Sequence, residues 1–441
     1  MSKTFRPWDV DQQWILPPSL HEFVPPGHVA HFIRDTVCNE LDLGAIMSAY
    51  EEERGFPPYH PAMMVSLLLY GYSRGVYSSR KLAQACEERV DFMAVTAMNR
   101  PDFRTIASFR RRHLQALGAL FVQVLKLCRA AGLAKLGHVA LDGTKIQANA
   151  NVHKAMSYGR MRESEKKLAA QVSSWFAQAE ASDAQEDDAH GGDLRGDEMP
   201  DWVSDKIQRL ARIRAAKAAL EAEAKASPPD DDDGPGPSSG MMSKGRPLRA
   251  PNGGPPDRAQ RNFTDPDSRI QPTRSGFLAG YNAQIAVDGA HQIIVAQMVQ
   301  TSPADRGALK PLLRRVRALL KHNPKEVSAD AGYCSEANLL HLARRGIAAY
   351  IATGRAGRAQ TQSGDRREKG ARVAAMALKL RRAKWRSHYR LRKQIVEPVF
   401  GQIKHARGFR QFMLRGLAEV KEEWAMICTA HNLLKLHKAT G

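Results

Sequence analysis

Gly137–Ile146 reads GHVALDGTKI, and Glu326–Tyr333 reads EVSADAGY. Each is a short apolar run that stops at an aspartate and a turn, Asp142-Gly143 in one and Asp330-Ala331-Gly332 in the other, as a buried strand does where it meets a loop. Between them, Tyr281–Val287 and Gln292–Gln300 flank Asp288-Gly289-Ala290-His291. Asp-Gly between two β-type runs is a strong hairpin signal, so Asp288 is assigned to the turn. Asp305–Lys321 has helical apolar spacing through Leu309, Leu312, Leu313, Val316 and Leu319. A helix at Ser335–Arg345 and a strand at Ala348–Ala352 follow. Strand, hairpin, helix, strand, helix, strand, helix is the order of an α/β fold with a mixed sheet.

Working outward, residues 1–135 read as helical. An extended entry at Leu16–Leu20 precedes periodic apolar segments at His28–Leu41, Pro61–Arg74 and Ser79–Val90. Pro61 suits a first helical turn, and Ser78 and Ser79 suit a cap. A helix from Thr105 carries Phe109, Arg110, Arg111, Arg112 and His113, then Leu114, Leu117, Phe121, Val124 and Leu125. The longest apolar stretch, Ala62–Tyr72, is far shorter than the roughly 20 residues a membrane span needs, and predicts a buried core helix. The α/β part is interrupted by charged helices at 160–178 and 201–226, an antiparallel pair by expectation. Asp183–Glu198 is acidic, and Ser227–Arg258 contains PPDDDDGPGPSSG and PNGGPPD. The latter buries too little apolar surface to fold alone and predicts disorder. The domains so expected are a helical 1–135, an α/β domain from 136–159 and 262–441, and an insertion, 160–261.

The 441 residues include 66 Lys and Arg against 46 Asp and Glu, a formal charge of +20. So basic a chain calls for a polyanionic partner, with nucleic acid first. Five cysteines without a CxxC pair exclude a disulfide scaffold and a zinc ribbon and predict a reducing cytosol. The start, Met1–Trp8, has no apolar run behind its charge and does not read as a signal peptide. The histidines form no HExxH, and the close pair His28 and His31 lacks a completing ligand. Thr353–Gly357 carries glycines without a phosphate-loop pattern. Cys334 has no histidine at a motif spacing and is assigned to packing, as is the stripe Trp424, Ile427, Cys428 and Leu433, read as docking the last helix on the sheet.

Three carboxylates stand out by position. Asp142 and Asp330 end strands, where open α/β sheets gather ligand sites. Glu397 lies in a helical stretch, Tyr389–His405, and is the single acidic residue among eleven Lys or Arg between Arg381 and Arg415. An Asp before Gly is by itself most often a turn residue, and a Glu on a basic helix is usually a solvated salt-bridge partner. Together, converging, the three would repel unless cations sat among them, and all-oxygen ligation favours two Mg²⁺ or Mn²⁺ ions. Two such ions can activate a water and stabilise the leaving oxygen of a phosphodiester. Tyr389, Lys393, Glu397 and Lys404, spaced 4, 4 and 7, share a helix face. Pro398 implies a kink or an altered turn.

These residues resemble the DDE transposases of bacterial insertion sequences. That family's third acidic residue lies in Tyr-x2-Arg-x3-Glu-x6-Lys, matched here by Tyr389, Lys393, Glu397 and Lys404, with Arg392 and Lys393 alternatives for the arginine. Asp-Gly-Thr-Lys at Asp142, the run Asp330–Leu339, Leu16–Leu20, His60-Pro61, Ser79-Arg80, Pro101-Asp102 with Thr105-Ile106 and Phe109-Arg110, and Ala430–Leu433 are also similar. The resemblance spans nearly the whole chain outside 180–260. It implies an RNase H-like catalytic domain that binds the inverted-repeat ends of its element, cuts them with a metal-activated water and joins the freed 3′-hydroxyl to target DNA. Asp142, Asp330 and Glu397 would be catalytic and hold the ions. Tyr389, Arg392 or Lys393, Lys404, Arg407 and Lys145 would meet phosphates, and the N-terminal helices, with Arg110–Arg112 as one candidate patch, would contribute DNA contacts. The partners implied are double-stranded DNA and a second copy as a homodimer on DNA, in a cytoplasmic, nucleoid-associated setting and with no membrane. The rival readings are a non-catalytic DNA-binding derivative of such an element and a metal-dependent nuclease without strand transfer.

Overall fold

The computed structural model describes residues 24–50, 58–190, 201–226, 254–273, 276–354, 370–383 and 388–440. The expected entry at Leu16–Leu20, most of the Pro/Gly/Asp-rich Ser227–Arg258 and the glycine-bearing residues from Arg355 lie outside them. Two compact units emerge, Met1–Ala131 with Met426–Gly441, and Gly132–Ala425.

The first unit is helical: α1 Val29–Asn39, α2 Gly44–Met47, α3 Pro61–Ser73, α4 Ser79–Glu88, α5 Val90–Thr96, α6 Phe103–Arg112 and α7 Leu114–Ala130. The His28 ring accepts from the Ala30 amide and starts α1, His60 followed by Pro61 starts α3, and Asp102 accepts from Arg104 N at 2.7 Å to start α6. The apolar run in α3 is buried on all sides, Met64 through Tyr72. That burial matches the core helix expected from its apolar run. Among the described residues no helix is long and apolar enough to cross a membrane. Ser78 occupies the α4 cap position without a side-chain bond, and the single helix expected from Thr105 is two, divided at His113.

The second unit is built on a six-stranded mixed sheet: β1 His138–Gln147, β4 Arg269–Thr273, β5 Gly276–Asp288, β6 Ile294–Gln300, β7 Glu326–Ala329 and β8 Ala348–Ile351, in the order β4-β5-β1-β7-β8 with β6 also on β5. β1 runs antiparallel to β5 and parallel to β7, and β7 runs parallel to β8. The Asp288-Gly289 turn joins β5 to β6 as expected. Asp288 Oδ1 accepts from Ala290 N at 2.9 Å and Oδ2 from Leu136 N at 2.7 Å. Helices α10 Leu309–Leu320, α11 Glu336–Arg344, α12 Ala371–Ala383 and α13 Leu391–Gly401 connect or follow the strands.

The insertion leaves the sheet through a ribbon, β2 Ala155–Ser157 paired with β3 Gln260–Asn262. It carries two helices, α8 Tyr158–His190 and α9 Asp201–Ala226, the first running beyond residue 178. Tyr158 bonds Glu221, and Glu165 bonds Lys217 at 2.7 Å and Arg214 at 3.1 Å, so the pair is antiparallel. Met161, Ile213, Ala216 and Leu220 form its small core.

The last helix, α14 Leu417–Thr440, divides between the units. Trp424 packs with Phe409 and Phe412 and donates to Gln284 O of β5 at 3.4 Å. Residues from Met426 cluster instead with the helical unit, where the Asn432 carbonyl lies 3.8 Å from Cys128 Sγ. Of the expected stripe, Trp424 docks on the sheet, and Ile427, Cys428 and Leu433 are buried in the part of the helix that clusters with the helical unit.

Candidate active site

The parallel register of β1 and β7 pairs Ala140 with Ser328. Two residues further along each chain stand Asp142 and Asp330, on the same face as that pair because side chains alternate. Asp142 is nearly buried, and Asp330 caps a short turn by accepting from Gly332 N at 2.9 Å. Burial pushes the Asp142 carboxyl up to about 7. The Arg392 guanidinium pulls it back down, and the Asp330 charge raises it further. Burial also raises Asp330, with Asp305 adding to the shift.

Helix α13 brings the third carboxylate. Arg392 Nη1 donates to Asp142 Oδ2 at 2.7 Å, and its Nη2 lies 3.7 Å from Glu397 Oε1. One guanidinium thus touches both acids. The Glu397 side chain is half exposed, which leaves it open to a ligand. Of the two alternatives for the family's arginine, Arg392 is the one among the carboxylates, while Lys393 points to solvent. The spacing of Arg392 and Glu397, five residues, places them a turn and a half apart along the helix. Their long side chains close the gap.

Pro398 deprives the Gln394 carbonyl of its helical donor, and Gln292 Nε2 supplies one instead at 3.0 Å. The helix passes directly into a π-helical segment, Gln402–Ala406. Lys404 lies in that segment and turns inward, its Nζ donating to Thr144 Oγ1 at 2.8 Å and to Lys145 O at 3.0 Å. It therefore leaves the face expected from its spacing and clamps the segment to β1 just past Asp142. Tyr389 lies near Arg392 and helps hold its charge. Lys145 Nζ donates to Pro272 O, and Arg407 is buried with its Nε on Gln402 O. Arg110 departs furthest from expectation. It is buried in the helical unit, donating to Tyr72 Oη, Tyr77 O and Ser79 Oγ, so only Arg111 and Arg112 of that patch face solvent.

A fourth carboxylate was missed in the sequence. Asp305, in the loop after β6, accepts from Asn282 Nδ2 at 2.7 Å and Gln284 Nε2 at 2.6 Å. A Cβ on Gly143 would lie 2.9 Å from Asp305 Oδ1, and one on Gly332 would lie 3.0 Å from its Oδ2. Asp305 thus occupies the space left by the glycines that follow Asp142 and Asp330. Tyr333 donates to Gln284 Oε1, and burial and the surrounding carboxylates keep its hydroxyl protonated. Before Arg306 and Gly307, Asp305 resembles any loop aspartate. Only the two glycines hint at it.

Asp142, Asp330 and Glu397 gather around one guanidinium, with Asp305 beside Asp330. Asp142 and Asp330, both raised by burial and by a neighbouring carboxylate, offer only oxygen donors and fit hard divalent cations.

Two family models match the chain. The Transposase domain (DUF772) covers residues 18–112, and the Transposase DDE domain covers 256–433. The second includes Asp330, Glu397 and the basic helix, whereas Asp142 falls between the two matches. The fold and these matches define a transposase. The chain belongs to the DDE transposases of insertion sequences, with a helical N-terminal region and an RNase H-like α/β domain. Searches among curated proteins and solved structures returned no match.

Proposed function

We propose that this transposase binds the terminal inverted repeats of its own element, cleaves a DNA strand there and transfers the freed 3′-hydroxyl to target DNA. The observation that carries the reading is the single guanidinium of Arg392 reaching both Asp142 and Glu397, beside Asp330. Asp142, Asp330 and Glu397 would hold the two Mg²⁺ or Mn²⁺ ions, which when bound would activate the attacking oxygen and stabilise the leaving one. Arg392 holds Asp142 and Glu397 in a common place. Asp305, tied to Asn282 and Gln284, supports the loop behind Asp330. Lys404 fixes the π-helical segment to β1. Exposed Lys393, Arg390 and Arg410 offer cations to the DNA backbone around the acids. Such contacts position DNA without reading its sequence. Bringing two ends together implies a dimer on DNA.

The test is a joining assay with a labelled duplex ending in the element's inverted repeat and a supercoiled target plasmid. Label transferred covalently to the plasmid supports the proposal. Cleavage with no joined product would show a metal-dependent nuclease, and binding with neither would show a non-catalytic derivative.

A further inference from the structure

His138 opens β1 and Glu326 opens β7, and the two are register partners. His138 Nδ1 lies 3.0 Å from Glu326 Oε2, and His388 Nδ1 lies 2.7 Å from the same oxygen. Two imidazole nitrogens and one carboxylate oxygen therefore converge on one point, all within 4.8 Å of one another. The far nitrogen of His138, Nε2, meets Ser328 Oγ at 2.8 Å. Tyr350 lies against both rings, stacked on His138 and tilted toward His388.

We propose that His138, Glu326 and His388 form a second metal site, for a borderline transition ion such as Zn²⁺, that fastens the start of the catalytic helix to the sheet. Two imidazoles and a carboxylate suit such ions, whereas the all-oxygen acidic site suits Mg²⁺ or Mn²⁺. Zinc bonds of about 2.0–2.2 Å in a tetrahedron put ligand atoms roughly 3.4 Å apart, so the His138 and His388 nitrogens, at 3.0 and 2.7 Å from Glu326 Oε2, need to move off by less than about 1 Å. Three protein ligands leave a fourth position for water. With Nδ1 on the ion, Nε2–H of His138 donates to Ser328, the outer-sphere bond that metal-bound histidines ordinarily make.

The site is separate from the acidic one. His138 precedes Asp142, and Glu326 precedes Asp330, by four residues, about 13 Å of strand at roughly 3.3 Å per residue. Both pairs lie on one face of the sheet. His388 stands four residues before Arg392, so an ion here ties the chain entering α13 to the two strands that carry Asp142 and Asp330. Composition and spacing could not show it, since 138, 326 and 388 share no motif and meet only through the β1–β7 register.

The test strips the full-length protein with a chelator and titrates it calorimetrically with zinc chloride in excess Mg²⁺, with Co²⁺ absorption reporting nitrogen ligation. Wild type and the Asp142→Asn, Asp330→Asn double variant should each bind one equivalent of zinc. Glu326→Gln and His388→Ala should each lose it, and Ser328→Ala should weaken it by about tenfold. The His388 side chain is half exposed, so His388→Ala should fold as wild type does. Zinc should raise the melting temperature of wild type and leave that of His388→Ala unchanged. No zinc uptake by wild type, uptake that survives in Glu326→Gln or His388→Ala, or uptake abolished in the double aspartate variant would overturn the proposal.

Discussion

Arg392 donates to Asp142 at 2.7 Å across 250 residues of sequence, and the same guanidinium reaches Glu397. That one side chain makes a strand-borne acid and a helix-borne acid into a single site. Removing it leaves a nearly buried carboxylate without its cation. Arg392→Ala should cost about 3 kcal/mol of stability near pH 8, as loss of one partner of a buried pair does. The cost should shrink near pH 6, where Asp142 takes up a proton. Chemical denaturation at the two pH values measures it. An equal and small effect at both would show that the pair contributes nothing.

The raised carboxyl of Asp142 gives a signed dependence on pH. Its folded pKa of about 7 exceeds the usual unfolded value near 4, so between those limits the folded state holds the extra proton. Stability is therefore greatest below the unfolded pKa and falls as pH rises toward 7. Asp142→Asn removes this loss. The melting temperature of the metal-free variant minus that of wild type should grow from about pH 5 to about pH 8, and Mg²⁺ should narrow the gap at the upper end. A constant difference would contradict the assignment.

Gly143 faces Gln284, Asn282 and Asp305 with no room for a side chain. A Cβ there would lie 2.1 Å from Gln284 Nε2, which is itself held by Asn282 and Asp305. Gly143→Ala should thus cost about 1–3 kcal/mol, as overpacking does, and should reduce cleavage because the displaced Asp305 supports Asp330. Thermal denaturation beside a cleavage assay checks both. Full stability with full activity would show that the amides move aside freely.

The two lysines of the basic helix should separate. Lys393 is exposed, and Lys393→Ala should lower the salt dependence of DNA binding by about 0.9 in log–log slope. Lys404 is committed to Thr144 and Lys145. Lys404→Ala should lower the melting temperature and leave the slope unchanged. Binding isotherms across a salt series distinguish them. A slope change for Lys404→Ala would show that its ammonium turns to a phosphate.

Much of this was legible in the sequence because it was local. The strand ending at Asp142 and the hairpin at Asp288 announce themselves by apolar runs meeting Asp-Gly. Helix α3 is apolar all round, and it is buried all round. Tertiary choices were not legible. Arg110 and Lys404 carry the charge of surface residues, yet each finds internal acceptors, Arg110 in Tyr77 and Ser79 and Lys404 in β1. Whether Arg392 or Lys393 faces the acids depends on how α13 rolls against β1. Asp305 could be found only once β5 had placed Asn282 and Gln284 beside it.

The most direct test is divalent-ion-dependent cleavage of DNA carrying the element's ends, compared among wild type, Asp142→Asn, Asp330→Asn and Glu397→Gln, with binding measured in parallel. Each variant should bind the ends as wild type does and cleave more slowly by about three orders of magnitude or more. Cleavage at the wild-type rate in any of the three would contradict the convergence of these carboxylates as the catalytic centre.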